Sequence, residues 1–392
     1  MRNIADTITR LTASRLRLGQ SAGTKGADRL SDLPEFGSNP GALRARIYLP
    51  EGLEASAPLV VVLHGCTQTA AGYDHGSGWS RLADRHGFAL LFAEQQRANN
   101  PNLCFNWFVP ADIMRGSGEA LSIRQMVEAV VSKHAIDSKR IFVTGLSAGG
   151  AMASVMLATY PEVFAGGAII AGLPYGTATT VPEAFDRMRG HGGPDEAGLQ
   201  TLVRGASRHK GPWPLISVWQ GSGDRTVDAS NADAIVAQWR ALHEVGAQPG
   251  SATVVAGHPR RVWRDGEGRE RIESFSIAGM GHGTPLDTSL ADGGAGGPYM
   301  LDVGISSSLH SLRFWGFPTA AEAQAENTLK PGKQRAAPAG RNAADKEVHA
   351  ESARRAPRPG PAPRDEKPRR PIPAKGVGKV IEDALRAAGL MR

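Results

Sequence analysis

The pentapeptide Gly145-Leu146-Ser147-Ala148-Gly149 constrains this chain more than any other feature. It follows a β-branched run, Ile141-Phe142-Val143-Thr144, and precedes a helix-forming run, Ala151-Met152-Ala153-Ser154-Val155-Met156-Leu157. A strand, a sharp turn and a helix in that order make a nucleophile elbow. Such a turn strains the backbone of Ser147, so the residues two before and two after it must be small. Gly145 and Gly149 meet that demand, and Gly150 lets the helix pack close to the strand. The motif by itself is short and weak. Three further segments strengthen it.

The first is Pro58-Leu59-Val60-Val61-Val62-Leu63, a fully buried strand by composition, which ends in His64-Gly65-Cys66. The loop after such a strand can supply one oxyanion-hole N–H, and the residue after the nucleophile supplies the other. Those donors would be the backbone amides of Cys66 and Ala148. The second segment, Pro214–Val227, is a strand running into a glycine-rich loop that carries Asp224. A carboxylate here would orient a catalytic histidine. Asp228 is the competitor, but its position suits the cap of a helix starting near Asn231. The third, Glu273–Gly283, is an alternating strand ending in His282 between glycines. The order Ser147, Asp224, His282 is the α/β-hydrolase order.

The strings Leu63-His64-Gly65-Cys66-Thr67-Gln68, Cys104-Phe105-Asn106-Trp107-Phe108, Gly145–Gly150, Ala171-Gly172-Leu173-Pro174-Tyr175-Gly176, Gly211-Pro212-Trp213-Pro214 and Gly279–Gly283 resemble the esterase family of poly(3-hydroxybutyrate) depolymerases. The resemblance runs from about Leu43 to about Phe317. It implies a serine esterase that cuts ester bonds of a polyhydroxyalkanoate or its oligomers. Ser147, Asp224 and His282 match the family's triad by position in the motifs. The same superfamily includes feruloyl and acetylxylan esterases, which leaves the acyl substrate open. A non-catalytic protein that binds a polymer granule is the rival of a different class. Trp107 and Tyr175 are expected to line the acyl or alcohol pocket, with ordinary core packing as their alternative. Both cysteines, Cys66 and Cys104, lie in family-like motifs. Two buried thiols and a disulfide joining the two loops remain equally open, because geometry decides and sequence does not. No metal-ligand spacing is present, and no cofactor is expected.

Composition locates the charge. The chain carries a net +7, yet residues 330–392 hold 16 Lys/Arg against 7 Asp/Glu, and the remainder is near −2. A near-neutral body gives no support to nucleic-acid binding by the folded domain. After Phe317 there is no aromatic residue, and 9 of the 26 prolines lie beyond Lys330. That composition predicts a disordered tail. Val377, Val380, Ile381, Ala384, Leu385 and Ala388 repeat at helical spacing at its end. This stripe is either a solvated terminal helix or, with the basic run, a tether for an anionic or apolar surface such as a granule. Ile4, Ile8 and Leu11 recur in the same way among arginines near the start. That segment lacks the continuous apolar core of a secretory signal, which favours a cytoplasmic protein, whereas the resemblance allows an extracellular one.

Strands are expected at Arg44–Tyr48, Leu59–Leu63, Phe88–Ala93, Ile141–Thr144, Ala168–Ala171, Leu215–Gln220 and Ile272–Ile277. Helices are expected at Trp79–His86, Glu119–His134, Ala148–Tyr160 and Ala232–Val245. This alternation implies an α/β fold, a mostly parallel sheet flanked by helices. The stretch Pro174–Trp213 interrupts it, as a cap near the active site or as a long loop. The chain divides into a basic arm (1–35), a catalytic domain (36–320) and a Pro/Arg-rich tail (321–392).

Overall fold

The computed structural model describes residues 28–318. One ten-stranded sheet runs through it. In chain order its strands are β1 (Ser31–Asp32), β2 (Arg44–Tyr48), β3 (Leu59–Leu63), β4 (Ala89–Glu94), β5 (Ile141–Leu146), β6 (Gly166–Ile170), β7 (Leu215–Gly221), β8 (Ser251–Val255), β9 (His258–Arg264) and β10 (Glu270–Ile277). Their spatial order is β1-β2-β4-β3-β5-β6-β7-β10-β9-β8. The six central strands, β4 to β10, are parallel, and both flanks are antiparallel. Two short parallel strands, β11 (Thr284–Leu286) and β12 (Met300–Asp302), form a separate pair. This is the α/β-hydrolase fold.

The helices are α1 (Ala70–Ser77), α2 (Trp79–His86), α3 (Pro110–Ile113), α4 (Gly118–Lys133), α5 (Ala148–Thr159), α6 (Val181–Met188), α7 (Glu196–Ala206), α8 (Ser230–Arg240) and α9 (Ser307–Phe314). They cover both faces of the sheet, which explains the continuous apolar runs of its central strands. Alternate residues of one strand enter opposite layers. Leu59, Val61 and Leu63 of β3 pack with Ile123 and Val127 of α4, Met152 of α5 and Trp239 of α8. Val60 and Val62 pack with Tyr73 of α1, Trp79 and Leu82 of α2 and Leu312 of α9. Helix α5 lies between sheet and outer helices, and all twelve of its residues are buried.

Every expected strand and helix is present, three of them with the expected ends and the others with ends shifted by at most five residues. The differences lie elsewhere. The hairpin β8–β9 extends the sheet and was not expected. Its strand β9 reads His-Pro-Arg-Arg-Val-Trp-Arg, a charge-rich string, yet Arg260 bonds Glu270 and Glu273, and Arg261 bonds Asp233. Cross-strand carboxylates make arginine acceptable in this flank. The Pro174–Trp213 stretch forms two helices. Thr180 caps α6 by accepting from the Glu183 amide, and Asp195 caps α7 by accepting from the Gly198 amide at 2.9 Å. Residues 28–35, assigned from sequence to the arm, join the body. Ser31 and Asp32 pair with β2, and Arg46 bonds Asp28 at 2.9 Å. The rest of the arm and the tail, with its terminal stripe, lie outside the described residues.

Candidate active site

The carboxyl ends of four parallel strands converge on one cleft, as open α/β sheets favour. Ser147 follows β5 with φ 58° and ψ −119°, a strained conformation held by packing on both sides. A Cβ on Gly145 would meet the Gly149 carbonyl oxygen at 2.3 Å, and one on Gly149 would meet the Leu63 oxygen at 2.3 Å. The first turn of α5 is thereby pressed against the end of β3, beside the His64–Cys66 loop. The Ser147 amide donates to the Ile170 carbonyl at 2.9 Å, which fixes the turn to β6.

His282 reaches Ser147 from the loop after β10. Its Nε2 lies 2.9 Å from Ser147 Oγ, and its Nδ1 lies 2.7 Å from Asp224 Oδ2. A carboxylate only accepts, so Nδ1 carries the proton and Nε2 is free to accept from the serine hydroxyl. The carboxylate is itself held. Asp224 Oδ1 accepts from the amides of Thr226 at 2.8 Å and Val227 at 2.9 Å, and Oδ2 accepts from Gln220 Nε2 at 3.1 Å. The loops bearing Asp224 and His282 are stapled together. The Ser222 amide donates to Ile277, the Gly223 amide to Met280, and the Gly279 amide to Ser222 Oγ. A side chain at Gly221 would strike the Met280 carbonyl at 2.3 Å. Asp228 stands apart: its Oδ1 accepts from the amide and hydroxyl of Ser230 at the start of α8.

The amides of Cys66 and Ala148 donate to no protein group among the described residues, and both residues line the cleft beside Ser147 and His282. The loop after β3 is braced from below. Buried His64 contacts its neighbour's carbonyl, Gly65 O, through Nδ1 at 2.8 Å and accepts from the Gln95 amide through Nε2 at 3.1 Å. Burial holds its imidazole below the ordinary range, in the neutral form that such bonding requires. Cys66 and Cys104 form a disulfide, with Cα atoms 4.2 Å apart. Geometry thus decides between the two alternatives that the sequence left open.

The cleft has an apolar lining. Trp107 is among its walls, packed edge-on against Phe108 with centroids 5.3 Å apart. Tyr175, expected there from sequence, is a correction. It is half-buried against the main core, and its backbone exchanges two 2.9 Å hydrogen bonds with Gln238 of α8. The sequence reading missed Val181, Ala184, Phe185 and Met188, one face of α6 that closes the cleft. Their i, i+3, i+4, i+7 spacing and the Thr180-x-x-Glu183 cap were the available signals. It also missed Tyr299, whose ring stands edge-on 6.1 Å from His282, with φ 62°. Nothing local to Gly-Pro-Tyr-Met signals that role.

Residues 43–264 match the family model described as esterase PHB depolymerase. The chain belongs to this family. It is 47% identical over 290 residues to poly(3-hydroxyalkanoate) depolymerase C of Paucimonas lemoignei, covering 73% of this chain and 70% of that protein. It is 30% identical over 283 residues to feruloyl esterase B of Talaromyces stipitatus, covering 67% of this chain and 75% of that protein. Among solved structures, an acetyl xylan esterase from Aspergillus awamori superposes with a TM-score of 0.63 at 24% identity. It covers 74% of this chain and 99% of that one, and shows the shared fold. The esterase PHB depolymerase relationship makes this chain a carboxylic ester hydrolase.

Proposed function

We propose that the chain hydrolyses ester bonds of poly(3-hydroxyalkanoate)-type polyesters or their oligomers through Ser147, His282 and Asp224. The observation that carries the reading is the continuous relay from Asp224 Oδ2 through both imidazole nitrogens to Ser147 Oγ, at 2.7 Å and 2.9 Å. In it, Ser147 attacks the ester carbonyl while His282 Nε2 takes the hydroxyl proton. Asp224 keeps the imidazole in the required tautomer and stabilises the imidazolium. The Cys66 and Ala148 amides meet the oxyanion of the tetrahedral intermediate, each worth roughly 3 kcal/mol. His282 then protonates the leaving alcohol. Water, activated by the same imidazole, hydrolyses the acyl-enzyme and restores Ser147.

The 47% identity to a poly(3-hydroxyalkanoate) depolymerase favours the polyester. So does the lining by Trp107, Phe108, Leu173, Val181 and Phe185, because a hydroxyalkanoate unit is an uncharged ester with an alkyl branch. Feruloyl or acetylated sugar esters are the second reading, favoured by the relatives near 30% identity. A granule-binding protein without catalysis has no need of the relay. The test is turnover of p-nitrophenyl butyrate by the purified protein with Ser147→Ala as control. It is followed by a panel of hydroxybutyrate oligomers, amorphous polymer, and feruloyl and acetyl sugar esters. Higher kcat/KM on the sugar esters than on the oligomers would replace the polyester reading.

A further inference from the structure

We infer that Gln68 is a specificity-determining residue: its side-chain Nε2 donates a hydrogen bond to an ester carbonyl next to the scissile one, so that the cleft favours an oligoester over a simple ester. The inference rests on the polyester reading above and adds to it a residue outside the triad and the oxyanion amides.

The Gln68 side chain is held in place by the loop that carries it. The next residue, Thr69, caps α1 with its hydroxyl. The Gln68 backbone amide donates to Gly65 O at 3.3 Å and closes the turn after β3. The side chain then folds back over that turn, and the Gly65 amide donates to Gln68 Oε1 at 2.8 Å. A backbone N–H only donates, so the side-chain atom that faces it is the oxygen. Gly65 permits the approach, because a Cβ there would stand 2.9 Å from Oε1. The resonance that flattens a peptide bond also flattens a carboxamide, so fixing its oxygen fixes the direction of its nitrogen. Gln68 is half-buried in the lining of the cleft, and its Nε2 donates to no protein group among the described residues.

The other polar groups of the lining are spent or carry no fixed sign. Asn100, the second side-chain amide there, gives Nδ2 to Asn106 Oδ1 at 2.9 Å, and its Oδ1 accepts from the Asn102 amide at 3.0 Å. The hydroxyls of Thr67 and Tyr299 can donate or accept. Gln68 Nε2 only donates. The described lining contains no Lys, Arg, Asp or Glu, so nothing in it calls for a charged partner. A neutral donor of one sign in an apolar cleft selects a neutral acceptor. A simple ester has one carbonyl, and in the reading above the Cys66 and Ala148 amides take it. An oligoester repeats the carbonyl in every unit, so a second acceptor follows the scissile one at a fixed interval. Gln68, two residues beyond Cys66 in the same loop, is placed to hold that second carbonyl. The bond is made in the ground state and kept in the transition state, so it acts on KM.

The experiment measures kcat/KM for a hydroxybutyrate trimer methyl ester and for p-nitrophenyl butyrate and reads their ratio, in which changes common to both substrates cancel. Gln68→Glu keeps an oxygen for the Gly65 amide and replaces the donor by a second acceptor. The ratio is expected to fall about fivefold or more, the range of one neutral hydrogen bond, with the loss in KM for the trimer. A trimer analogue that keeps only the cleaved ester, with methylenes in place of its other carbonyls, should lose kcat/KM by a similar factor in the native protein. Gln68→Glu should then cost that analogue little further. Should Gln68→Glu not fold, the native comparison of trimer and analogue carries the test. Two results would overturn the inference: an unchanged ratio, which a residue that only braces the Gly65 turn would give, or an analogue cleaved as well as the trimer. A native protein that turns over p-nitrophenyl butyrate but not the trimer would instead remove the polyester reading.

Discussion

A Cβ built on Gly149 would stand 2.3 Å from the carbonyl oxygen of Leu63, closer than a real side chain can approach a backbone. That contact joins the nucleophile's helix to the strand that leads into the oxyanion loop. Gly149→Ala should therefore lower stability by about 3 kcal/mol, the cost of overpacking where rigid backbone must move. It should also lower kcat by displacing the Ala148 amide. Gly205→Ala, where a Cβ meets nothing within 4 Å, is the control. Urea midpoints and kcat for both variants check this, and equal midpoints would contradict it.

Ser147→Ala should remove esterase activity by ~10³-fold or more while leaving the thermal transition unchanged, since only the attacking oxygen is lost. His282→Ala should match it, because the two act as one unit. Turnover retained in either variant would refute the assignment.

The two neighbouring aspartates should separate cleanly. Asp224→Asn places an amide against His282 Nδ1 and disturbs the tautomer, so kcat should fall by about 10⁴. Asp228→Asn disturbs an exposed turn at the start of α8 and should cost about 1 kcal/mol of stability or less, with little change in kcat. The reverse ranking would show that the other carboxylate serves His282.

Stability should carry the signature of Glu119. Burial and the neighbouring Asp112 charge push its carboxyl up from an ordinary 4.5 to about 8. A folded value above the unfolded one means that the folded state binds the extra proton. The corresponding stability is complete below about pH 4.5 and is lost as pH rises through about 8. Urea unfolding of the native protein and of Glu119→Gln from pH 5 to 9 measures this. The native protein should lose stability relative to the variant as pH rises, and a difference constant with pH would contradict the shift.

Removing residues 330–392 should leave kcat/KM for a short soluble ester within about twofold, because the candidate triad and the described lining of the cleft lie upstream. If the basic tail tethers the enzyme to an anionic or apolar surface, the truncation should also weaken co-sedimentation with polymer granules at low salt. The difference should fade toward 1 M salt, where the Debye length is roughly 3 Å. Equal sedimentation of both forms at low salt would leave the tail without a tethering role.

Much of the site was legible because its demands are local. The elbow needs small residues at fixed offsets around Ser147. Buried parallel strands need continuous apolar runs such as Leu59–Leu63. Strand ends followed by glycines mark where Asp224 and His282 emerge, and their order identifies the topology. These features depend on spacing along the chain, which sequence displays.

What the tertiary structure decided depends on distance through space. The Cys66–Cys104 bond required two loops, separated by 38 residues, to bring their Cα atoms within 4.2 Å. Tyr175 and Tyr299 are comparable as letters, yet the first packs on Gln238 of α8 and the second stands beside His282. The apolar face of α6 is a common amphipathic pattern, and only its place in the fold makes that face a wall of the cleft. Strand β9 looks too charged for a sheet until Glu270 and Glu273 are placed across from its arginines. Sequence alone determined the fold class and the ester-hydrolase chemistry, and it named Ser147, Asp224 and His282 as the candidates to carry it. The shape of the cleft, the bracing of its oxyanion loop and the partners of its buried charges came from packing between segments distant in the chain, which no local pattern encodes.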